Sequence, residues 1–366
     1  MTFVIIMACA ACLILLYYFL LSTYFPYESK NDLSILHSDI SPGVSVIIAS
    51  KNGGGEILNL VKKLVRQDYP TFEVIVVDDF STDGSIDHLY ALKYSNLIIL
   101  NATIDAPGKK AALSQAIAAS KYPILLFTDA DCMPPSDKWI KKMVQALMTS
   151  GEKEVVLGYG PLNADGNLVS KFARYETFLT AFQYMGYAGF GLPYMGVGRN
   201  LMYKKSLFEK VGGYSRHHHI ASGDDDLFIK AVASGKNVEV CIDPDTFMYS
   251  DSKSNLHDFL QQKSRHISTS VHYKPAHQLL LGVHSAAHIL FYTALIMILL
   301  FYQQWIIAAL FICIFKFAGQ ILMGLKAMKI LKVSDLVISM PFMDFLLYIY
   351  FLVVPVYSIL SKNRWT

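Results

Sequence analysis

LLFTDADCMPP (125–135) runs from an apolar, strand-like segment into two aspartates one residue apart, then a cysteine and two prolines. Aspartate is a common turn former, and one charge ends a strand as well as two. At about 5% aspartate usage a D-x-D arises about once by chance in a chain of this size. What surrounds it therefore decides its meaning.

Upstream, VSVIIAS (44–50) is a β-branched run bounded by Pro42-Gly43 and by Asn52-Gly53-Gly54-Gly55, which predicts a buried parallel strand and a tight loop. EILNLVKKLVRQ (56–67) has helical spacing at Ile57, Leu60, Val61, Leu64 and Val65. FEVIVVDD (72–79) predicts a second strand ending in Asp78-Asp79, and STDGSIDHLYAL (81–92) caps and opens a second helix. NLIILN (96–101) predicts a third strand, GKKAALSQAIAAS (108–120) an Ala-rich helix, and PILLFTDAD (123–131) the fourth strand. The β-α-β-α-β-α-β alternation is that of a mostly parallel, doubly wound α/β sheet. Ligands of such sheets bind beyond the carboxyl ends of the strands. Three of those ends carry polar groups: Asn52, Asp78-Asp79 and Asp129-x-Asp131. Carboxylates gathered on one rim repel unless a cation sits among them. Mg²⁺ or Mn²⁺ on a diphosphate meets that need, taking one or two carboxylates plus phosphate oxygens. Asp78-Asp79 read alone is equally a helix cap.

The whole chain of 366 residues is 53% hydrophobic and 17% charged, with mean hydropathy +0.36. Soluble domains carry about a quarter charged residues. The apolar excess lies at the ends. Residues 3–21 hold no charge, enough to cross a hydrocarbon core of about 30 Å. No Lys or Arg precedes this segment and its apolar length exceeds that of a cleaved signal, so a retained anchor is expected. Further apolar segments cover about 279–302, 305–323 and 336–360. The expected organisation is an anchor (1–22), a catalytic-sized domain (23–276) and a membrane bundle of about three helices (277–366). Lys30, Lys263, Arg265 and Lys274 fall on the domain side, as do Lys326, Lys329 and Lys332 if each segment crosses once. The positive-inside rule then places the domain in the cytoplasm of a bacterial-type inner membrane. Lys362 and Arg364 run against that placement unless the last segment is re-entrant. A net charge of +3 argues against a nucleic-acid surface. Of five cysteines, Cys9, Cys12 and Cys313 lie in apolar segments and Cys132 and Cys241 have no paired spacing, so no disulfide framework or zinc pattern appears, as expected of a reducing compartment.

At this point the residues resemble the family-2 glycosyltransferases, inverting nucleotide-sugar enzymes of GT-A fold, over roughly 42–266. VSVIIASKN resembles the family's first strand and loop, VIVVDDFSTDGS its nucleoside-binding strand end, and FTDADCMPP its metal-binding D-x-D. GKKAALSQAI is similar to the Gly-Lys helix start, with Gln115 where Asn is commoner. GVGRNLMYKKSLFEKVGGY (196–214) is similar to the acceptor-side segment, SGDDDLF (222–228) to the acidic catalytic motif, and QQKSRH (261–266) to Q-x-x-R-W with His for Trp. The ordered series makes the likeness specific.

The resemblance implies a divalent metal, Mg or Mn, held by Asp131 with Asp129. It implies donor contacts from Ser50, Asn52, Asp78, Asp79, Lys109, Asp129, Gln262, Arg265 and His266, and acceptor-side roles for Gly198, Arg199 and Asn200. The base is Asp224 if Leu227 sets the register, with Gly223 in place of the usual Glu, or Asp225 if an acidic pair sets it. His266 for Trp puts a long-chain acceptor groove in doubt. These roles suit the chemistry: leaving phosphates gather negative charge, and the acceptor hydroxyl must lose its proton. Lys109 also reads as a solvated helix-start lysine, His217-His218-His219 as a loop, and Cys132 as a bystander. The aromatic stretch 172–194 reads as packing or as a lipid-acceptor wall, and Lys316 and Asp344 as charges facing a bundle interior, with their pairing open.

The expected function is transfer of a sugar from a UDP- or GDP-linked donor to a membrane lipid or lipid-linked glycan, in cell-envelope glycan synthesis. A processive polysaccharide synthase and a non-catalytic scaffold subunit are the alternatives. A nucleotidyltransferase shares the sheet, but it leaves the later motifs unexplained.

Overall fold

The computed structural model describes residues 1–28, 41–103, 108–218, 220 and 222–361. Lys30, His219, Lys362 and Arg364, used above for orientation and for the histidine loop, lie outside the described residues. In chain order the elements are α1 (Thr2–Tyr24), β1 (Val44–Ser50), α2 (Gly54–Leu64), β2 (Phe72–Asp78), α3 (Ser85–Tyr90), β3 (Leu97–Asn101), α4 (Lys109–Ala119), β4 (Ile124–Phe127), β5 (Cys132–Met133), α5 (Trp139–Leu147) and β6 (Val155–Leu157). There follow α6 (Leu168–Gly189), β7 (Leu201–Lys204), α7 (Lys205–Lys210), α8 (Asp226–Val232), β8 (Val238–Val240), β9 (Tyr249–Ser250), α9 (Leu256–Ser270), α10 (Pro275–Phe301), α11 (Ile306–Ile330) and α12 (Met340–Leu360).

These residues divide into two compact units. One comprises Glu28–Asn163 and Ala188–Asp251 and holds a seven-stranded sheet ordered β3-β2-β1-β4-β7-β6-β8. β3, β2, β1 and β4 run parallel, with β1 in register from Val44 opposite Phe72 to Ser50 opposite Asp78. The alternating reading of the sequence thus recovers the parallel half. β7 runs antiparallel to both β4 and β6 and lies inside the acceptor-side segment 196–214, where periodicity gives no sign of a strand. Val44, Val46 and Ile48 pack with Val74 and Val76 against Ile57, Leu60, Val61 and Leu64 of α2 and against Trp139, Ile140 and Met143 of α5. Both faces of β1 and β2 are covered, and for that reason these strands are continuous apolar runs.

The second unit comprises Met1–Tyr27, Ala164–Tyr187 and Ser252–Asn363. Four helices are long and apolar enough to cross a membrane: Thr2–Tyr24, Pro275–Phe301, Gln303–Ile330 and Met340–Leu360. The aromatic stretch that opens at Phe172 is part of the continuous helix α6, with Tyr175, Phe178, Phe182 and Met185 buried. Two charges within these apolar helices pair, Lys316 Nζ lying 2.5 Å from Asp344 Oδ2.

Candidate active site

In the sheet-bearing unit the ends of β1, β2 and β4 and the start of α4 are tied together by backbone amides and short side chains. Asn52 has a φ of +53° and its Oδ1 accepts from the amide of Thr82 at 2.8 Å, while its own amide donates to Ser81 Oγ at 2.8 Å. This clamps the loop after β1 to the loop after β2. Asp78 accepts from the Ser81 amide at 3.2 Å, and Asp79 Oδ1 accepts from the Gly108 amide at 3.0 Å. Gly108, at φ +115°, takes a conformation that L side chains rarely adopt, and Lys109 follows it as the first residue of α4. Ser50 ends β1 fully buried, its Oγ without a hydrogen-bond partner among the described residues.

Lys109 is not a solvated lysine. Its Nζ lies 2.8 Å from Asp129 Oδ1 and 3.0 Å from Asp224 Oδ2, joining the D-x-D after β4 to the acidic motif before α8. Burial works to neutralise this ammonium, yet Asp129, Asp224 and Asp225 together hold it well above the usual lysine range. Around it is a cleft lined by Thr128, Asp129, Gly198, Tyr214, Asp224 and Asp225. Sequence reasoning missed Thr128 and Tyr214, because a Thr or Tyr beside a glycine-rich or acidic motif carries no chemical signature. It also missed Lys110, whose buried ammonium donates to the carbonyls of His217 (2.7 Å) and Ile220 (2.9 Å).

The two aspartates proposed as base differ in their engagements. Asp225 Oδ2 accepts from the Gly198 amide at 2.7 Å and Oδ1 from the Asp226 amide at 2.7 Å. Burial first, then the charges of Asp224 and Asp226, push its carboxyl up to about 8. Gly223, at φ +92°, turns the chain into this motif, and a Cβ there would meet Leu227 Cδ1 at 2.6 Å. That accounts for glycine where an acid was expected. A Cβ on Gly198 would come within 3.3 Å of Asp225 Oδ2, so the close backbone approach also favours glycine.

Asp129, Asp131 and Cys132 present ligand atoms within 4.8 Å of one another. Burial, then Asp129 and Asp131, push the Cys132 thiol up. Asp129 and the exposed Asp131 give a hard oxygen donor pair, and this pair fits Mg²⁺ or Mn²⁺.

Asn200 is fully buried, and its amide is taken by protein groups. Nδ2 donates to the carbonyls of Tyr159 (2.8 Å) and Thr246 (2.6 Å), and Oδ1 accepts from Trp139 Nε1 at 3.0 Å. Arg199 donates to Ser250 Oγ at 2.9 Å. The sheet-bearing unit therefore brings Lys109, Asp129, Asp224, Asp225 and Gly198 together, with Asn200 behind them. Gln262, Arg265 and His266 lie on α9, which belongs to the helical unit. In that unit the neighbouring buried Lys263 pairs with Glu176 of α6.

Residues 45–212 match the family model described as Glycosyl transferase family 2. This stretch, just under half of the chain, is similar to a family 2 glycosyltransferase domain. Over 221 residues it is 27% identical to the poly(ribitol-phosphate) beta-glucosyltransferase of Bacillus spizizenii, covering 56% of this chain and 32% of that protein. Over 190 residues it is 30% identical to glycosyltransferase AglE of Haloferax volcanii, covering 50% of this chain and 59% of that one. The chain thus spans less than two thirds of either relative. Among solved structures, the mannosyltransferase PcManGT from Pyrobaculum calidifontis, in complex with GDP-Man and Mn2+, superposes with a TM-score of 0.58 over 95% of this chain and 98% of that one. At 18% identity this likeness is one of fold, and it makes the family 2 domain GT-A in architecture.

Proposed function

We propose that the chain is a membrane-embedded, metal-dependent glycosyltransferase. It moves a sugar from a nucleoside diphosphate donor, UDP- or GDP-linked, to a lipid or lipid-linked glycan, with inversion at the anomeric carbon. The observation that carries this reading is Lys109 bridging Asp129 of the D-x-D and Asp224 of the acidic motif in one cleft. Residues 1–22 anchor the chain, 23–276 form the transferase domain and 277–366 the membrane bundle, with the domain in the cytoplasm of a bacterial-type inner membrane. The four apolar helices support the membrane assignment. A lipid acceptor is favoured because the spans follow directly on the Gln262 and Arg265 motif in sequence.

Asp224 is the base. Both oxygens of Asp225 already accept backbone amides, which makes Asp225 the positioning carboxyl of the motif and holds the Gly198 loop against it. Asp224 takes the proton of the acceptor hydroxyl as that oxygen bonds to the anomeric carbon. The bond from that carbon to the donor diphosphate breaks, and its electron pair leaves on the phosphate oxygen. Attack in line with the departing group inverts the configuration. Asp131 and Asp129 hold the divalent ion, which when bound neutralises charge growing on the leaving diphosphate. Asp78 and Asp79 serve the nucleoside, and Ser50 offers a buried hydroxyl at the same rim. Gln262, Arg265 and His266 serve the diphosphate and acceptor, Arg265 by its planar fork.

The test uses the full chain purified in detergent with a panel of nucleotide sugars, with and without Mn²⁺ or Mg²⁺. Metal-dependent release of nucleoside diphosphate from at least one donor is expected. No turnover of any donor by folded protein overturns the reading in favour of a scaffold. Product length with a lipid acceptor separates single addition from processive synthesis.

A further inference from the structure

Lys109 makes contacts that a simple phosphate-binding lysine does not need. Its ammonium touches Asp129 at 2.8 Å and Asp224 at 3.0 Å, with only 17% of its side chain exposed. One of these carboxylates belongs to the candidate metal pair and the other is the proposed base. They stand 95 residues apart in the chain, and the lysine is a cation that joins them in the cleft. We infer that Lys109 is an interlock: in the unloaded cleft it ties the metal-holding carboxylate to the base, and only metal and donor diphosphate together release it.

The inference rests on the transferase reading and follows from charge competition. A dication taking Asp129 meets an ammonium already on that carboxylate, and the two cations repel. Metal alone must therefore displace Lys109 from a partly buried ion pair, which leaves the ammonium without a full set of partners. A diphosphate removes that penalty because its oxygens accept the displaced ammonium. Metal and donor thus bind with positive coupling, and by linkage each favours the other equally. The consequence for turnover is order. While Lys109 sits on Asp224, at 3.0 Å from Oδ2, it occupies the carboxylate that the acceptor hydroxyl must reach. Once the ammonium moves to the donor, Asp224 is free to take a proton. The base is armed only when there is a sugar to transfer, which suppresses nonproductive chemistry in a cleft open to water. Lys109 is in this sense a positioning residue, acting on the reaction through Asp129 and Asp224.

The experiment measures Mn²⁺ binding to the full chain in detergent, by the EPR signal of free Mn²⁺, with and without UDP or GDP. Wild type, Lys109→Met and Lys109→Arg are compared, each checked for folding by thermal unfolding. In the absence of nucleotide, Lys109→Met is expected to bind Mn²⁺ about tenfold tighter than wild type, and nucleotide should improve its Mn²⁺ affinity less than it does in wild type. Lys109→Arg, which keeps the charge, should behave as wild type. A merely structural lysine would give looser Mn²⁺ binding or none on removal. Equal or weaker Mn²⁺ binding by folded Lys109→Met overturns the interlock. If that variant does not fold, Lys109→Gln, which keeps a polar head without the charge, is read by the same criterion. Donor hydrolysis by the wild type is scored separately. Its absence refutes the transferase reading, whereas unchanged Mn²⁺ affinity in the charge-removed variant refutes the interlock alone.

Discussion

Lys109 and Lys316 are both shielded lysines bound to aspartate, and their surroundings carry opposite excesses. Around Lys109 stand Asp129, Asp224 and Asp225, in a cleft that opens to solvent. Around Asp344 the donors are in excess. Lys316 Nζ (2.5 Å) and Tyr292 OH (2.6 Å) meet one oxygen, Gln320 Nε2 (3.0 Å) and His288 Nε2 (3.2 Å) the other, and Asp344, Lys316 and His288 are fully buried. Lys316 also lies over the rings of Phe317 at 4.3 Å and Phe291 at 4.7 Å. Three donors and the His288 ring surround one carboxylate, so the helical cluster is closed and fits a role in fixing how α10, α11 and α12 pack. The cleft cluster has carboxylates to spare and access to water, which is what a site for a cation and an anionic ligand requires. A buried charge by itself does not mark function; whether its partners balance does.

The comparison breaks if removal of either lysine has the same effect. Lys316→Met leaves a carboxylate sealed with no cation, and is expected to destabilise the protein by about 3–5 kcal/mol, whereas Lys316→Met with Asp344→Leu recovers most of the loss. Thermal unfolding in detergent reads both, and a Lys316→Met protein as stable as wild type removes the distinction. Asp224→Asn should lower kcat by about 10²–10⁴-fold while nucleotide binding is kept, measured by transfer kinetics and by nucleotide titration. A mild loss shared equally with Asp225→Asn would falsify the assignment of the base.

Saturation can also be tested outside the apolar helices. Asn200 is a filled polar centre in the transferase domain, and Asn200→Ala strips a partner from Trp139 Nε1 and from two carbonyls. A loss of about 1–3 kcal/mol in unfolding is expected, with Mn²⁺ affinity little changed. Asp225 gives the smallest effect and the clearest sign. Its carboxyl rises from 3.8 to about 8 on folding, so the folded state holds the proton more tightly. This contribution to stability is fully present below pH 3.8 and is lost as pH climbs through about 8. In ligand-free protein, Asp225→Asn should flatten the fall in melting temperature across that window. An unchanged slope would show that the burial of Asp225 does not govern its proton.

Much of the fold was legible because its signals are local. Runs such as VSVIIAS and FEVIVVD are continuous and apolar since helices cover both faces of their strands, and the alternation with helical spacing fixed a mostly parallel sheet. Long apolar segments, two of them interrupted by a single charge (Lys316 and Asp344), marked the four long helices. β7 was not legible: LMYK (201–204) is only four residues long, and its strand pairing comes from β4 and β6 on either side. The choice between Asp224 and Asp225 turned on register within DDD, where the three residues are chemically identical. Backbone amides from Gly198 and Asp226 make them unlike.

The sequence by itself determined the element types, the apolar helices and the list of acidic and basic residues at strand ends, because periodicity and composition act over a few residues. Tertiary structure decided which of those charges meet. Lys109 reaches both Asp129 and Asp224, Lys316 finds Asp344, and Asn200 turns inward to Trp139. Those outcomes depend on distant segments converging, and neither spacing nor residue type encodes convergence over tens of residues.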